Sequence, residues 1–328
     1  MIGKRGFRQL LFEYPNASLA VLNYYLTEEK FKNIDTLNLL TAEARAGSVT
    51  DRSFFELMQW LKQFNLTHPK DMVQLKGFDI SGAGRSFVNY FRSNFNTLLD
   101  SITKLNVARS MREMSSIDHA EQLIIEWFYK NQDTVQRRLK KYYPDLLYNV
   151  RNAAWALQHT ERQKVNFYGA SAFRDSIMAV NINELASSTK TIVWTHNLHV
   201  TTADNVVSMG NYLKKLRSDS YTIITDFTRS GKVYVATKSN ELAVKSVVPS
   251  KETASYKLAD KYKLPAGVVF YNDLIPVKKI GVLFNSIDKF GNNIILGKGH
   301  GFDAMILLDL LTAAEPFLLD IQGPVTEK

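Results

Sequence analysis

The chain has 328 residues, of which 45% are hydrophobic and 22% are charged, and its formal net charge is +9. This composition excludes an intrinsically disordered chain and suits one large α/β domain or two smaller ones. Because the sequence contains no cysteine, it also excludes a thiol nucleophile, a disulfide framework and a cysteine-ligated zinc site.

The basic residues are spread along the chain, and their densest group, Arg137-Arg138-Leu139-Lys140-Lys141, falls in a helical stretch. A solvated helix face explains such a group better than a nucleic-acid-binding surface, so we expect no nucleic-acid partner. The most apolar long segment, Met305 to Leu319, is interrupted by Asp309 and Glu315. We therefore expect no membrane span.

Short apolar runs predict the strands of a sheet. Taken in chain order, they lie at Gln9–Phe12, at Gly77–Ile80 and at Thr191–Trp194. The first of them is apolar on both faces, which suits an interior position in a parallel sheet. Further along, Tyr221–Phe227 and Lys232–Ala236 predict a β-hairpin that turns at Arg229-Ser230-Gly231.

From about residue 86 to about residue 188 the hydrophobic pattern is helical. Strands that are separated by helices predict an α/β fold, with a central, mostly parallel sheet flanked by helices and an antiparallel portion toward the C-terminal half. The helical stretch predicts a lobe or insertion in the middle of the chain.

Three of the predicted strands are followed by ionisable residues, which are Glu13, Asp79 and His196. In open α/β sheets, ligands bind outside the carboxyl ends of the strands. If the three strands are parallel neighbours, these side chains converge at one edge of the sheet. The alternative is that each polar residue only marks where a strand leaves the core.

The segment His196-Asn197-Leu198-His199 contains two of the six histidines of the chain. Histidine is the side chain best suited to proton transfer near neutral pH, so the pair is a candidate for acid–base catalysis. Two surface or capping histidines would show the same spacing. A metal site is a further alternative, with Glu13 or Asp79 as the third ligand.

In the predicted helix from Phe173 to Asn181, the spacing of Arg174, Met178 and Asn181 places them on one stripe. An arginine and an asparagine beside a methionine are unusual for a face that only fills a core. Arg174 could stabilise a carboxylate or an oxyanion there, or it could form a salt bridge at a helix end.

Taken together and in this order, these motifs resemble the erythromycin esterase family. Residues 193–199 match its V-W-x-H-N-x-H segment, and residues 174–181 match its R-D-x-x-M-A-x-N helix. Glu13-Tyr14-Pro15 is similar to the glutamate at the end of a family strand, and Gly77-Phe78-Asp79 to its G-x-D. The similarity runs from near residue 7 to near residue 317.

The resemblance implies hydrolysis of a carboxylic ester, with a macrolide lactone as one candidate, by an activated water and without a covalent intermediate. It implies a small-molecule ester as partner, and no metal or other cofactor. His196, His199, Glu13 and Arg174 would be catalytic. The implied substrate-binding residues are Asp79, Asn181 and Asp175.

One family motif, G-E-x-x-H-G, whose histidine is taken as the general base, does not occur in this sequence. We therefore expect residues 1–328 to form a single domain of this type that is N-terminally incomplete, weakly active and prone to self-association. The sequence is compatible with two functions. One is an esterase-type hydrolase, and the other is a catalytically impaired relative that binds a small molecule in the same pocket.

Overall fold

The computed structural model describes residues 1–28, 52–112, 117–202, 207–217, 221–236, 242–247, 256, 260, 266–270, 284–287, 293–296 and 303–311. These residues form two compact units. The first contains the described residues up to Trp194 apart from Arg52 and Ser53, and the second contains those two and the described residues from Thr195 onward.

The described helices are mostly in the first unit. They are α1 (Ile2–Arg5), α2 (Asn16–Thr27), α3 (Arg52–Thr67), α4 (Ala83–Phe95), α5 (Ser101–Arg112), α6 (Ile117–Lys130), α7 (Gln132–Leu139), α8 (Tyr143–Val165), α9 (Phe167–Leu185), α10 (Asn197–Val200) and α11 (Met209–Arg217).

The described strands are β1 (Gln9–Phe12), β2 (Gln74–Gly77), β3 (Thr191–Trp194), β4 (Ile224–Ala236), β5 (Leu242–Val247), β6 (Ala266–Phe270), β7 (Phe284–Ile287), β8 (Asn293–Leu296) and β9 (Ala304–Leu311).

The sheet of the first unit is parallel and has the strand order β2-β1-β3. All four residues of β1 are buried, which is what a central strand with helices on both faces requires. The interior, parallel position predicted for Gln9–Phe12 is confirmed. The predicted strand Thr191–Trp194 is also confirmed, as β3.

The second predicted strand lies three residues earlier than expected, because β2 spans Gln74–Gly77 and ends where the prediction began. Gln74 is exposed, since β2 lies at the edge of the described sheet, and an edge strand tolerates polar residues that a sequence pattern reads as loop. The apolar Phe78 and Ile80 are buried after the strand has ended.

The first unit has two apolar cores. One lies among α2, α3 and the strands, and it contains the spaced residues Phe54, Met58 and Leu61 of α3. The other lies among α4, α6 and α8, and the aromatic side chains Phe87, Phe91 and Phe128 are fully buried there. The helical region predicted from about residue 86 to 188 is therefore built of amphipathic helices that bury their apolar faces against one another.

The second unit holds a four-stranded sheet with the order β5-β4-β9-β6 and a two-stranded antiparallel sheet of β7 and β8. In the larger sheet β4 runs parallel to β9, while β5 and β6 are antiparallel to their neighbours. The predicted α/β fold is confirmed, with a parallel sheet flanked by helices and antiparallel pairing toward the C-terminal half.

The β-hairpin predicted around Arg229-Ser230-Gly231 is wrong. These residues lie inside the continuous strand β4. Residues 224–231 of that strand pair with β9, and residues 231–236 pair with β5. Pairing with two other strands keeps the backbone extended through a segment whose composition alone suggests a turn.

None of the helices in the described ranges is both long and apolar enough to cross a membrane.

Candidate functional site

The carboxylates of Glu13 and Asp79 follow the adjacent strands β1 and β2. The backbone N–H of Glu13 donates to the carbonyl of Trp194 in β3 at 3.1 Å, and the N–H of Asp79 donates to the carbonyl of Tyr14 at 3.1 Å. Both residues are therefore held by backbone contacts where the parallel strands end, which is the edge at which open α/β sheets bind ligands.

Arg174 of α9 connects the two carboxylates. Its Nε and Nη2 donate to the two carboxylate oxygens of Asp79, each at 2.7 Å, and Nη2 also donates to Oε1 of Glu13 at 2.7 Å. The pair with Asp79 is bidentate, which matches the planar fork of the guanidinium and is the strongest geometry for this contact. One positive and two negative side chains thus form a cluster, which we call the Arg174 cluster.

The electrostatics of the cluster favour a permanently charged arginine. Burial alone disfavours the charged form, but the hydrogen bonds that Arg174 donates to Asp79 and the charges of Asp79 and Glu13 outweigh this effect and raise the pKa of Arg174 above its ordinary value. The side chains of Arg174 and Glu13 are 20% and 19% exposed, whereas that of Asp79 is only 5% exposed. The cluster therefore reaches solvent on the side of Glu13 and is anchored in the protein on the side of Asp79.

A buried amide network fixes the segment that carries Asp79. Nδ2 of Asn181, which is fully buried, donates to the carbonyl of Phe78 at 2.9 Å and to Oδ1 of Asn152 at 2.6 Å. Asp175 is buried as well. Asn181 thus acts on the peptide next to Asp79, and the substrate-binding roles of Asn181 and Asp175 stay predictions.

The two predicted histidines lie together at the start of the second unit. His196 caps α10, and its Nδ1 accepts from the backbone N–H of Leu198 at 3.2 Å. A neutral His196 that accepts at Nδ1 carries its proton on Nε2. The ring centroids of His196 and His199 are 6.3 Å apart. His196 is exposed and His199 is half-buried, and their catalytic roles stay predictions.

The structure adds one titratable side chain near the Arg174 cluster that the sequence analysis did not single out. His159 of α8 is buried, and the charges of Arg174 and Asp79 act on it. Its spacing from Asn152 and Ala156 places the three residues on one helix face, and this is the sequence signal that could have indicated it.

No group of three or more histidine, aspartate or glutamate side chains among the described residues is arranged to hold a metal ion. Glu13 and Asp79, which the sequence analysis considered as third ligands, are instead paired with Arg174.

Comparisons with known proteins agree with the motifs. The model of the erythromycin esterase family matches residues 2–309. The fold is similar to that of a Bacillus cereus protein, with a TM-score of 0.69, 15% identity and coverage of 96% of this chain and 83% of that chain. The fold is also similar to that of a succinoglycan biosynthesis protein, with a TM-score of 0.69, 17% identity and coverage of 97% of this chain and 83% of that chain.

A mutant of the erythromycin esterase EreC in its open conformation is also similar, with a TM-score of 0.60, 12% identity and coverage of 97% of this chain and 86% of that chain. No curated protein matches the chain. The likeness to solved structures at such identities shows the fold, while the family model spans nearly the whole chain. The protein therefore belongs to the erythromycin esterase family.

Proposed function

We propose that this protein hydrolyses a carboxylic ester by attack of an activated water, without a covalent intermediate and without a metal. The observation that carries the proposal is the bridging of Glu13 and Asp79 by Arg174 where adjacent parallel strands end. Membership of the family supports the reaction class. A macrolide lactone is the first substrate to test, because the structurally similar EreC is an erythromycin esterase.

In this mechanism Asp79 fixes the guanidinium, and Arg174 in turn forms an ion pair with the carboxylate of Glu13 at the solvent-facing side of the cluster. A carboxylate in that state can accept a hydrogen bond from water and orient its oxygen for attack. The water oxygen bonds to the carbonyl carbon and gives up a proton, after which the bond to the leaving oxygen breaks and that oxygen takes up a proton. We assign to His196 and His199 the relay of a proton to the leaving oxygen or the polarisation of the carbonyl.

The test uses the purified full chain with a panel of p-nitrophenyl esters and with erythromycin, and detects products by mass spectrometry as a gain of one water. We expect Arg174→Gln and His196→Ala to lower kcat/KM by about 100-fold or more, since Arg174 positions the carboxylate of Glu13 and His196 acts on the reacting atoms. Thermal unfolding of each variant shows whether the fold is intact.

Arg151→Gln and His119→Ala are the matched controls. Arg151 forms an ion pair with Glu184, and His119 is exposed, so both changes should leave turnover close to wild type. Near-normal turnover in folded Arg174→Gln or His196→Ala would remove that residue from the mechanism. Binding of erythromycin by calorimetry without any hydrolysis of an ester would replace this function with that of a ligand-binding relative.

A further inference from the structure

The helices α8 and α9 run antiparallel in a register that paired contacts define. Each contact joins one residue of α8 to one of α9, and the partners move in opposite directions along the two helices. The contacts are the hydrogen bond of Asn152 with Asn181, the shared apolar cluster of Ala156 and Ile177, and the stacking of Arg162 on Phe173 at 4.4 Å. This register places His159 level with Arg174.

His159 is therefore beside the Arg174 cluster, about two helix turns from Asn152 and three positions from Arg162 on α8. It is only 6% exposed. Within the described part of the chain, the imidazole of His159 forms no hydrogen bond, yet neither of its ring nitrogens is among the fully buried atoms that lack a partner. The residue is thus largely buried while its ring nitrogens are not sealed from solvent, as a group that exchanges a proton requires.

The charged groups that face His159 come from two neighbouring elements. Arg174 lies on α9, Asp79 lies in the segment after β2, and Glu13 is joined to both through Arg174. On α8 itself, the next turn carries Arg162, which is stacked on Phe173.

These surroundings favour the neutral imidazole. Burial lowers the pKa of His159, the charge of Arg174 lowers it further, and Asp79 opposes the effect only in part. A neutral imidazole has a lone pair that can take up a proton, whereas an imidazolium has none. His159 is thus unprotonated at neutral pH.

We propose that His159 is a proton-accepting residue of this site, coupled electrostatically to the Arg174 cluster. The inference rests on the proposed ester hydrolysis for the identity of the proton donor, which is the attacking water. As the water oxygen bonds to the carbonyl carbon, its proton passes to the free ring nitrogen of His159. The bond to the leaving oxygen then breaks, that oxygen takes up a proton, and the imidazolium returns its proton to solvent or to the leaving oxygen.

The first test measures the coupling and needs no activity. The protein has six histidines, so isotope-labelled histidine can be followed by NMR from pH 4 to pH 9 and assigned with single His→Gln variants. We expect His159 to titrate at lower pH than an ordinary histidine side chain, and Arg174→Gln to move the midpoint of this titration upward. A His159 that titrates at the ordinary histidine value and does not respond to Arg174→Gln would overturn the proposal.

The second test measures the reaction with the ester that the wild type hydrolyses best. His159→Gln should lower kcat by about 100-fold or more with little change in KM, and should remove the acidic limb of the pH–rate profile. His119→Gln is the matched control and should change none of these. A folded His159→Gln variant with the wild-type kcat and pH profile would overturn the role of His159.

The two tests separate this inference from the proposed function. Suppose that the wild type hydrolyses no ester, but that His159 titrates at a displaced pH and Arg174→Gln shifts its titration midpoint. The proposed function then fails and the electrostatic coupling stands. If the wild type hydrolyses esters but neither test responds at His159, the function stands and the inference fails. Should His159→Gln not fold, the titration of the wild type still decides.

Discussion

Two ionisable side chains in the described helices, the half-buried Arg174 and the buried Glu121, have opposite surroundings. Arg174 lies between two carboxylates, which hold it charged. Glu121 of α6 is 1% exposed and faces Gly84 in the first turn of α4, and its Oε1 has no hydrogen-bond partner among the described residues. A buried charge is tolerated when it is paired, whereas an unpaired buried carboxyl tends to keep its proton.

This environment predicts a pH-dependent stability. Burial, and next the negative charge of Asp118, raise the pKa of Glu121 from 4.5 to about 8. Because the folded pKa is raised, the contribution of Glu121 to stability is complete below about 4.5 and is lost as the pH rises through about 8. We expect Glu121→Gln to be more stable than wild type at pH 8, by roughly 1–3 kcal/mol, since the burial of a charge is avoided.

Urea unfolding at pH 5 and at pH 8 measures this difference. Glu126→Gln, on the exposed side of the same helix, is the control and should change the free energy of unfolding little at either pH. Equal pH dependence in the wild type and in Glu121→Gln would show that Glu121 is not the titrating group.

At the scale of secondary-structure elements, the end of β2 is fixed by hydrogen bonds with the helices α2 and α8. The N–H of Gly77 donates to Oδ1 of Asn16 at 3.0 Å, and its carbonyl accepts from the hydroxyl of Tyr148 at 2.9 Å. A Cβ at Gly77 would meet the carbonyl oxygen of Tyr14 and would lie 2.7 Å from the backbone nitrogen of Asn16. The glycine lets the chain after β1 pass directly over β2, and this passage brings Glu13 and Asp79 together.

We therefore expect Gly77→Ala to lower the free energy of unfolding by roughly 1–3 kcal/mol or more, because the clash is with backbone and not with a flexible side chain. The variant should also lower esterase activity, since the backbone between Tyr14 and Asp79 must shift. Gly3→Ala in α1 is the control, because nothing lies within 4 Å of its Cβ position, and its change should stay within about 1 kcal/mol. Equal unfolding free energies for wild type and Gly77→Ala would contradict the described packing.

At the scale of the whole molecule, the net charge of +9 acts over long distances without defining a binding site. The exposed Arg137 and Arg138 of α7 are near the lysines of the densest basic group, and diffuse charge of this kind attracts polyanions only weakly. We expect binding to a short fluorescent DNA duplex, measured by anisotropy, to be weak at low salt and absent at about 150 mM salt.

The double variant Arg137→Glu with Arg138→Glu tests whether that group matters more than the net charge. It should weaken the low-salt binding only in proportion to the charge removed. Salt-resistant binding that the double variant abolishes would instead place a nucleic-acid site on α7.

The sequence by itself determined the strands β1 and β3, the helical middle of the chain and the family. These depend on local patterns, because an apolar run or a helical period reports on neighbours a few residues away. The spacing of Arg174, Met178 and Asn181 likewise predicted their common face. The sequence did not identify the partner of Arg174, since both a carboxylate and an oxyanion suited the pattern.

Only the tertiary structure decided the contacts between distant segments. Arg174 meets Glu13 across 161 positions and Asp79 across 95 positions, and the antiparallel register of α8 and α9 brings His159 to Arg174. The edge position of β2 and the two-sided pairing of β4 also depend on which strands become neighbours. Such pairings result from burial and backbone hydrogen bonding over the whole chain, so no local pattern of residues encodes them.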